Sequence, residues 1–210
     1  MALLCGCPPD AQIPTIPTDE CLERLGQIQK FGIQRTKDGA TVNEITIATS
    51  NPNLLATWTA LKAATDNTKV QFSPYIQEPV NEAGEAREYG GGNQTLGGIP
   101  ITIGRNPSTF EAAFIDIKQK IIKELKKYEC EKELSIVLIN EHGQLIGVTD
   151  DPDTPTIFKG IPIRSFFVSD KRMGMYEEVD KNMVKWSFLP NWSDNLHIVT
   201  PSDFDALTQL

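Results

Sequence analysis

Residues 181–204, KNMVKWSFLPNWSDNLHIVTPSDF, decide how this chain folds. Val184, Trp186 and Phe188 alternate with Lys185 and Ser187, so an extended segment here has one apolar face and one polar face. That period of two predicts a half-buried strand whose apolar face lines a core. Working back from it, TIFKGIPIRSFFVSD (156–170) and MGMYEEVDKNMVKWSFLP (173–190) predict further strands. Polar turns around Asp170-Lys171-Arg172 and Glu178-Val179-Asp180-Lys181 join them. ELSIVLINEHGQLIGVTDD (133–151) predicts two strands about an Asn140-Glu141-His142-Gly143 turn, where Gly143 supplies a positive backbone angle.

The stretch before these strands carries a different period. In NPSTFEAAFIDIKQKIIKELKKYEC (106–130), Phe110, Phe114, Ile117, Ile121, Leu125 and Tyr128 recur every three or four residues, which predicts a long helix over 108–129. Ser108 and Glu111 have the spacing of a capping box. Lys118, Lys120, Lys123, Lys126 and Lys127 lie toward the other end, where the helix dipole favours cations. Acids interspersed among these lysines make them a solvated face rather than a nucleic-acid grip. Nearer the start, Leu22, Leu25 and Ile28 permit a short helix before Gly32, VNEITIATS (42–50) reads as a strand, and LLATWTALKAAT (54–65) reads as a helix with Trp58 in the core. Lys69 to Val80, interrupted by Pro74 and Pro79, reads as an edge strand joined to a loop.

Two segments stand apart from this pattern. Residues 1–20 hold Pro8, Pro9, Pro14 and Pro17, which fix backbone angles and withdraw amide donors, so they predict an extended arm. Residues 81–98, NEAGEAREYGGGNQTLGG, hold six glycines, including Gly90, Gly91 and Gly92, among polar and charged residues. That composition predicts a surface hairpin, an assembly loop or a ligand loop. It matches neither the phosphate-cradling GxxxxGK[ST] nor GxGxxG. The expected organisation is therefore an arm at 1–20 and one β-rich domain at 21–210, with the Gly-rich loop at 81–98 inside it.

Composition narrows the function. With 28 acids against 20 Lys plus Arg the formal charge is -8, opposing a bulk electrostatic hold on nucleic acid. Residues 1–105 hold 8 bases against 11 acids and the remainder 12 against 17, so neither part is a basic arm. No apolar run approaches the roughly 20 residues of a membrane-crossing helix, and MALLCGCPP is too short for the core of a secretory signal, so a soluble intracellular protein is expected. Cys5, Cys7, Cys21 and Cys130 lack a zinc-ligand spacing and are read as free thiols. GxSxG and HExxH are absent, and His142 and His197 have no distinctive ligand spacing. Asp150, Asp151 and Asp153 in TDDPDTPT are the weak candidates for a hard cation, though the loop lacks the glycine and terminal glutamate of an EF-hand. No catalytic residue, cofactor site or established metal site emerges.

The fold class that unites these patterns is α+β and β-rich: an antiparallel sandwich or barrel-like domain with one long packed helix and extended assembly arms. Phe110, Phe114, Ile117, Ile121, Leu125, Trp186 and Phe188 are its candidate core. An open sheet edge offers backbone groups to another copy, and ring closure removes that liability. The helix NPSTFEAAFIDIKQKIIKELKKY, the strands after it and KWSFLPNWSDNLHIVTPSDFDAL together resemble phage tail-tube or neck (head-to-tail joining) structural proteins, over roughly residues 99–210. The resemblance implies a non-enzymatic virion subunit, made in the host cytoplasm and placed in the virion tail or neck. It implies identical subunits forming a ring and stacked rings, or meeting neighbouring virion proteins, with DNA passing the lumen without sequence recognition. On that reading Gly84 to Gly98 is an element between subunits or rings, the Pro-rich start is a tether, and Trp192 caps a sheet edge or fills a neighbour's pocket. A head-to-tail connector or tail terminator is the near alternative; a monomeric ligand-binding module and an unrecognised enzyme are the broader ones.

Overall fold

The alternation in KNMVKWSF becomes a strand because a neighbour pairs along each of its edges. The protein is described by a computed structural model over residues 24–210, so Pro8, Pro9, Pro14, Pro17 and three of the four cysteines lie outside the described residues. In chain order the strands are β1 (Ile28–Arg35), β2 (Lys37–Asp38), β3 (Thr41–Val42), β4 (Ile45–Thr46), β5 (Gln71–Phe72), β6 (Gln77–Glu82), β7 (Ala86–Tyr89), β8 (Ile101–Arg105), β9 (Ser108–Ile115), β10 (Leu134–Asn140), β11 (Leu145–Val148), β12 (Ile157–Phe158), β13 (Ile161–Val168), β14 (Lys181–Phe188) and β15 (Leu196–Val199). The helices are α1 (Leu55–Ala63), α2 (Gln119–Lys126) and α3 (Ala206–Gln209). The result is a β-rich α+β fold built mainly of antiparallel sheet.

Two compact units are present. The larger comprises residues 25–83 and 107–210, and the smaller contains the described residues 84–106. In the larger unit, β14 pairs β13 on one side and β9 on the other. Ladders then connect β13 to β10, β10 to β1, and β9 to β6. The segment leading into β6 returns the path to β1: Gly32 lies opposite Phe72, and the amides of Ser73 and Ile76 donate to the carbonyls of Phe31 and Gln29, both at 2.8 Å. Gly32 is the residue that allows this approach, because a Cβ there would stand 2.7 Å from the Phe72 ring.

Inside the returning path lies an aromatic core. Phe110 stacks on Trp186 at 4.3 Å between centroids, Phe31 meets Trp186 edge-on at 5.1 Å, and Phe114, Phe166 and Phe188 complete the cluster. The reason β10 is buried along its whole length, rather than at alternate residues, is that both of its faces are covered. Ile136 and Leu138 enter the aromatic core, whereas Val137 and Ile139 join a second cluster with Trp58 of α1, Phe158, Leu145 and Ala206 of α3. Trp58 also donates its indole N–H to the Pro52 carbonyl at 2.7 Å. The C-terminal turn is held down by Lys30 and Tyr75, whose side chains donate to the Leu207 carbonyl at 3.1 and 2.9 Å. Burial is the main cause that lowers the Lys30 pKa, with Lys62 adding repulsion.

The long helix expected over 108–129 does not form. Residues 108–115 are β9, the chain turns at Asp116 with φ 52°, and only Gln119–Lys126 is α-helical before a 3-10 turn at Lys127–Cys130. Phe110 and Phe114 are four apart, a spacing that keeps two side chains on one face at either period, so it did not discriminate strand from helix. Pairing with β14 and β6 along both edges settles the matter in favour of the strand. Ser108 therefore caps nothing: its hydroxyl accepts from the Trp192 indole N–H at 3.3 Å, and Glu111 reaches across the ladder to Lys185 at 2.6 Å. Because the helix starts later, its buried face also shifts. Ile122 is 1 % exposed and Leu125 is buried, while Ile121, expected in the core, is 37 % exposed; Ile117 packs against the core only in part.

Two smaller expectations also change. The helix permitted before Gly32 is absent among the described residues, since Ile28 to Arg35 form β1 with Gly32 in its middle. Residues 173–176, expected to be extended, form an exposed loop, and the strand begins only at Lys181. The Asn140 to Gly143 turn forms as read, with Gly143 at φ 73° and the Asn140 carboxamide accepting from the amides of His142 and Gln144.

Candidate functional site

The Gly-rich segment folds as a hairpin in which β7 pairs antiparallel with β8, from Ala86 opposite Arg105 to Tyr89 opposite Ile101. Its tip consists of two successive 3-10 turns, Gly92–Gln94 and Leu96–Gly98. Gly90, Gly91 and Gly92 have φ of 83°, 111° and 55°, values open to glycine and costly for most other residues. Thr95 organises the tip: its hydroxyl accepts from the Gly91 amide at 3.1 Å and donates to the Ile99 carbonyl at 2.7 Å. A Cβ on Gly90 would come within 2.2 Å of the Thr95 methyl. The glycines thus serve a defined turn rather than a formless loop.

The hairpin lies at the surface as one of the sequence readings had it, but the exposure of its apolar side chains was not foreseen. Tyr89, Leu96, Ile99, Ile101 and Ile103 are all exposed, and Leu96 is 101 % exposed. Ile99, Ile101 and Ile103 occur at every second position, which in extended chain directs them to one side. The legible signal was the string GGIPITIG, whose alternation was read only as a short strand. A two-stranded ribbon is at best marginally stable alone, and a contiguous run of exposed apolar side chains is unusual on a monomer's surface.

The remaining candidates resolve into structural roles. Asp150 accepts hydrogen bonds from the Thr156 amide at 3.0 Å, the Thr156 hydroxyl, and the Thr149 hydroxyl at 2.9 Å. Asp151 accepts from the Asp153 amide at 3.1 Å and from the Thr154 hydroxyl at 2.8 Å. The carboxylates are pinning a turn, and among the described residues there is no group of three His, Cys, Asp or Glu side chains placed to hold a metal ion. His142 is an exposed turn residue 3.8 Å from Glu141, and His197 lies in β15 opposite Gly147 with its ring 6.3 Å from Phe158. Cys130 is free and exposed. Trp192 is partly buried, stacked on Phe188 at 4.3 Å. No helix among the described residues is long and apolar enough to cross a membrane.

Hydrogen bonds from Thr156 first, and then from Thr149, hold the Asp150 carboxyl well below an aspartate's ordinary 3.8. A carboxylate depressed on folding stabilises the native state above its unfolded pKa and loses that contribution as pH falls through its native one. Asp150→Asn is therefore expected to flatten the acid limb of the stability curve below about pH 4. Thermal unfolding of both proteins between pH 2 and 7 checks this, and parallel acid limbs would sink it.

Recesses of small-molecule size include an open hollow of about 480 Å³ edged by Gln71, Glu124, Lys127 and Tyr128. A cleft of about 310 Å³ is floored by Trp58, Val137 and Phe158 and edged by Asp38, Asn43, Glu44 and Lys159. Its buried amide donors are committed to the protein itself: Asn43 donates to the carbonyls of Arg35 and Asn67, and Gln34 donates to that of Thr68. In comparison with known proteins, no family model and no curated sequence matches the chain.

Proposed function

We propose that the chain is a non-enzymatic structural subunit of a virion, which self-assembles into a ring or tube of the tail or neck through which a genome passes. The observation that carries this reading is the hairpin at 84–106, with Tyr89, Leu96, Ile99, Ile101 and Ile103 exposed. Its ordered tip reduces the conformational entropy lost on docking, since fixing a free backbone costs roughly 1–2 kcal/mol per residue. The mainly antiparallel sheet of the larger unit is consistent with the β-rich subunit that this reading requires. Net charge also supports passage: a formal charge of -8 keeps a DNA polyanion from adhering to the wall. Within this reading, a connector or tail terminator forms one ring, and a tube subunit forms stacked rings.

Mass measured over a protein-concentration and salt series, followed by electron microscopy of the largest species, tests the proposal. Closed rings or tubes are expected, and removal of residues 85–105 with a short Gly-Ser bridge is expected to lower the oligomer fraction at least tenfold while the unfolding transition of the larger unit persists. A monomer at every concentration and salt overturns it. The 310 Å³ cleft favours a second reading, a monomeric ligand-binding module. That reading requires saturable binding of a small solute that Trp58→Ala or Lys159→Ala abolishes.

A further inference from the structure

The two edges of the hairpin are built differently. Among the described residues β7 and β8 pair only with each other, so each leaves one side of its backbone without a ladder. On β8 two devices discourage a further strand. Pro100 brings no amide to its start, and Ile103 is an extra residue between Thr102, which lies opposite Glu88, and Gly104, which lies opposite Arg87. β7 has neither a proline nor a bulge of its own, and Glu85 through Tyr89 are all exposed. Charged side chains are the remaining protection for such an edge, and here Glu85, Arg87 and Glu88 supply them. Their order decides whether they repel another strand or select one.

The backbone fixes where a second strand would centre. The Glu85 carbonyl accepts from the Asn106 amide at 2.9 Å, so Glu85 turns its backbone groups toward the β8 side. Successive residues of a strand alternate in this respect, and Ala86 therefore presents both its N–H and its C=O to the open side. Two copies of one strand that pair antiparallel about a two-fold axis set the central residue opposite itself. With Ala86 at the centre, Glu85 of each copy stands opposite Arg87 of the other, and Glu88 meets Gly84, which has no side chain to oppose it. Centring on Glu85, Arg87 or Glu88 instead would put like charges face to face, which is destabilising. Neither Glu85 nor Arg87 forms an ion pair among the described residues, so both charges remain available for this contact.

We infer that β7 of one copy of this chain pairs antiparallel with β7 of a second copy about Ala86, joining the two hairpins into one four-stranded sheet. The inference rests on the assembly reading above and deepens it by naming the contact the hairpin makes. Backbone hydrogen bonds at Ala86 supply the attachment, and the Glu85 and Arg87 pairs on either side fix its register. A two-fold axis perpendicular to the sheet keeps each face on its own side. Tyr89 and Ile101, opposite each other within the hairpin, therefore share one face with Tyr89 and Ile101 of the second copy. A sheet of three or more strands with an apolar face is what a lone ribbon lacks for stability. The contact is isologous and closes on two copies, so a ring needs a separate heterologous surface as well.

The test is a charge exchange in the full chain, read by sedimentation and native mass spectrometry. Glu85→Arg leaves two cations on the edge and Arg87→Glu leaves two anions, so each variant alone sets like charges opposite each other. Both positions are exposed, and circular dichroism first establishes that the variants fold. Each single variant is expected to associate roughly tenfold more weakly than the parent, since two attractive cross-strand pairs become two repulsive ones. A 1:1 mixture of the two variants is expected to recover association as heterodimers, and Glu85→Arg/Arg87→Glu in one chain is expected to recover it as homodimers. Single variants that associate as the parent does overturn the β7 contact while leaving the assembly reading standing. Weakened single variants that neither the mixture nor the double exchange restores also overturn it, because the charges then do not face each other. A parent that never associates removes the assembly reading itself, and the inference with it.

Discussion

Replacing Trp186 with alanine is expected to lower the unfolding free energy by about 3–5 kcal/mol, the range for truncating a fully buried aromatic side chain. For a domain of this size that corresponds to a fall in Tm of roughly 6–20 °C. The effect is large because Trp186 is the shared neighbour of Phe31, Phe110, Phe166 and Phe188, with centroid distances of 5.1, 4.3, 6.3 and 6.1 Å. These rings come from β1, β9, β13 and β14, so the cavity would open where the ladders converge and no single strand can move to fill it. The indole nitrogen is buried without a hydrogen-bond partner among the described residues. Trp186→Phe should therefore sacrifice packing alone and cost clearly less than the alanine variant. Chemical denaturation of the three proteins decides the point, and a loss under about 1 kcal/mol for Trp186→Ala would show that the aromatic cluster is not the centre of the core.

Gly147→Ala is expected to destabilise by about 1–3 kcal/mol although it adds one methyl group. Its Cβ would lie 2.5 Å from the Lys159 carbonyl oxygen and 2.7 Å from the Phe158 ring. A flexible side chain could swing away, but this carbonyl is tied by reciprocal backbone bonds between Val148 and Lys159 at 2.9 and 3.0 Å. The same substitution would disturb β11 beneath the second core cluster, to which Phe158, Leu145 and Trp58 belong. Gly39→Asn provides the contrast: nothing lies within 4 Å of its Cβ, and asparagine tolerates the left-handed φ of 60°. Equal Tm values for the two variants would refute the close approach at Gly147.

Which features were legible in the residues depended on whether a pattern had one physical reading. Val184, Trp186 and Phe188 alternate too strictly for a helix, and all three are buried in β14. The turn at Asn140 to Gly143 was legible because asparagine and glycine carry their turn chemistry locally. Phe110 and Phe114 were correctly assigned to the core but to the wrong element, since a spacing of four serves both periods. Ile121 was then placed inward by continuing a helical phase that actually begins only at Gln119. The exposure of Met173, Met175 and Tyr176 was hidden for a related reason: apolar residues predict burial on average, and only the loop between β13 and β14 leaves these outside.

The chain by itself determined a β-rich composition of elements, a turn at Gly143, a glycine-dependent reversal at 90–98 and an acidic net charge, because each depends on local backbone freedom, side-chain alternation or simple counting. The tertiary structure alone decided that 108–115 is a strand, that β10 is covered on both faces, and that the path from β1 returns to it through Ser73 and Ile76. Those outcomes rest on hydrogen bonds and contacts between residues far apart in the chain, such as Glu111 with Lys185 and Phe31 with Trp186. Local propensity differs by about 1 kcal/mol or less between helix and strand for most residues, so two complete ladders on either side of 108–115 outweigh it.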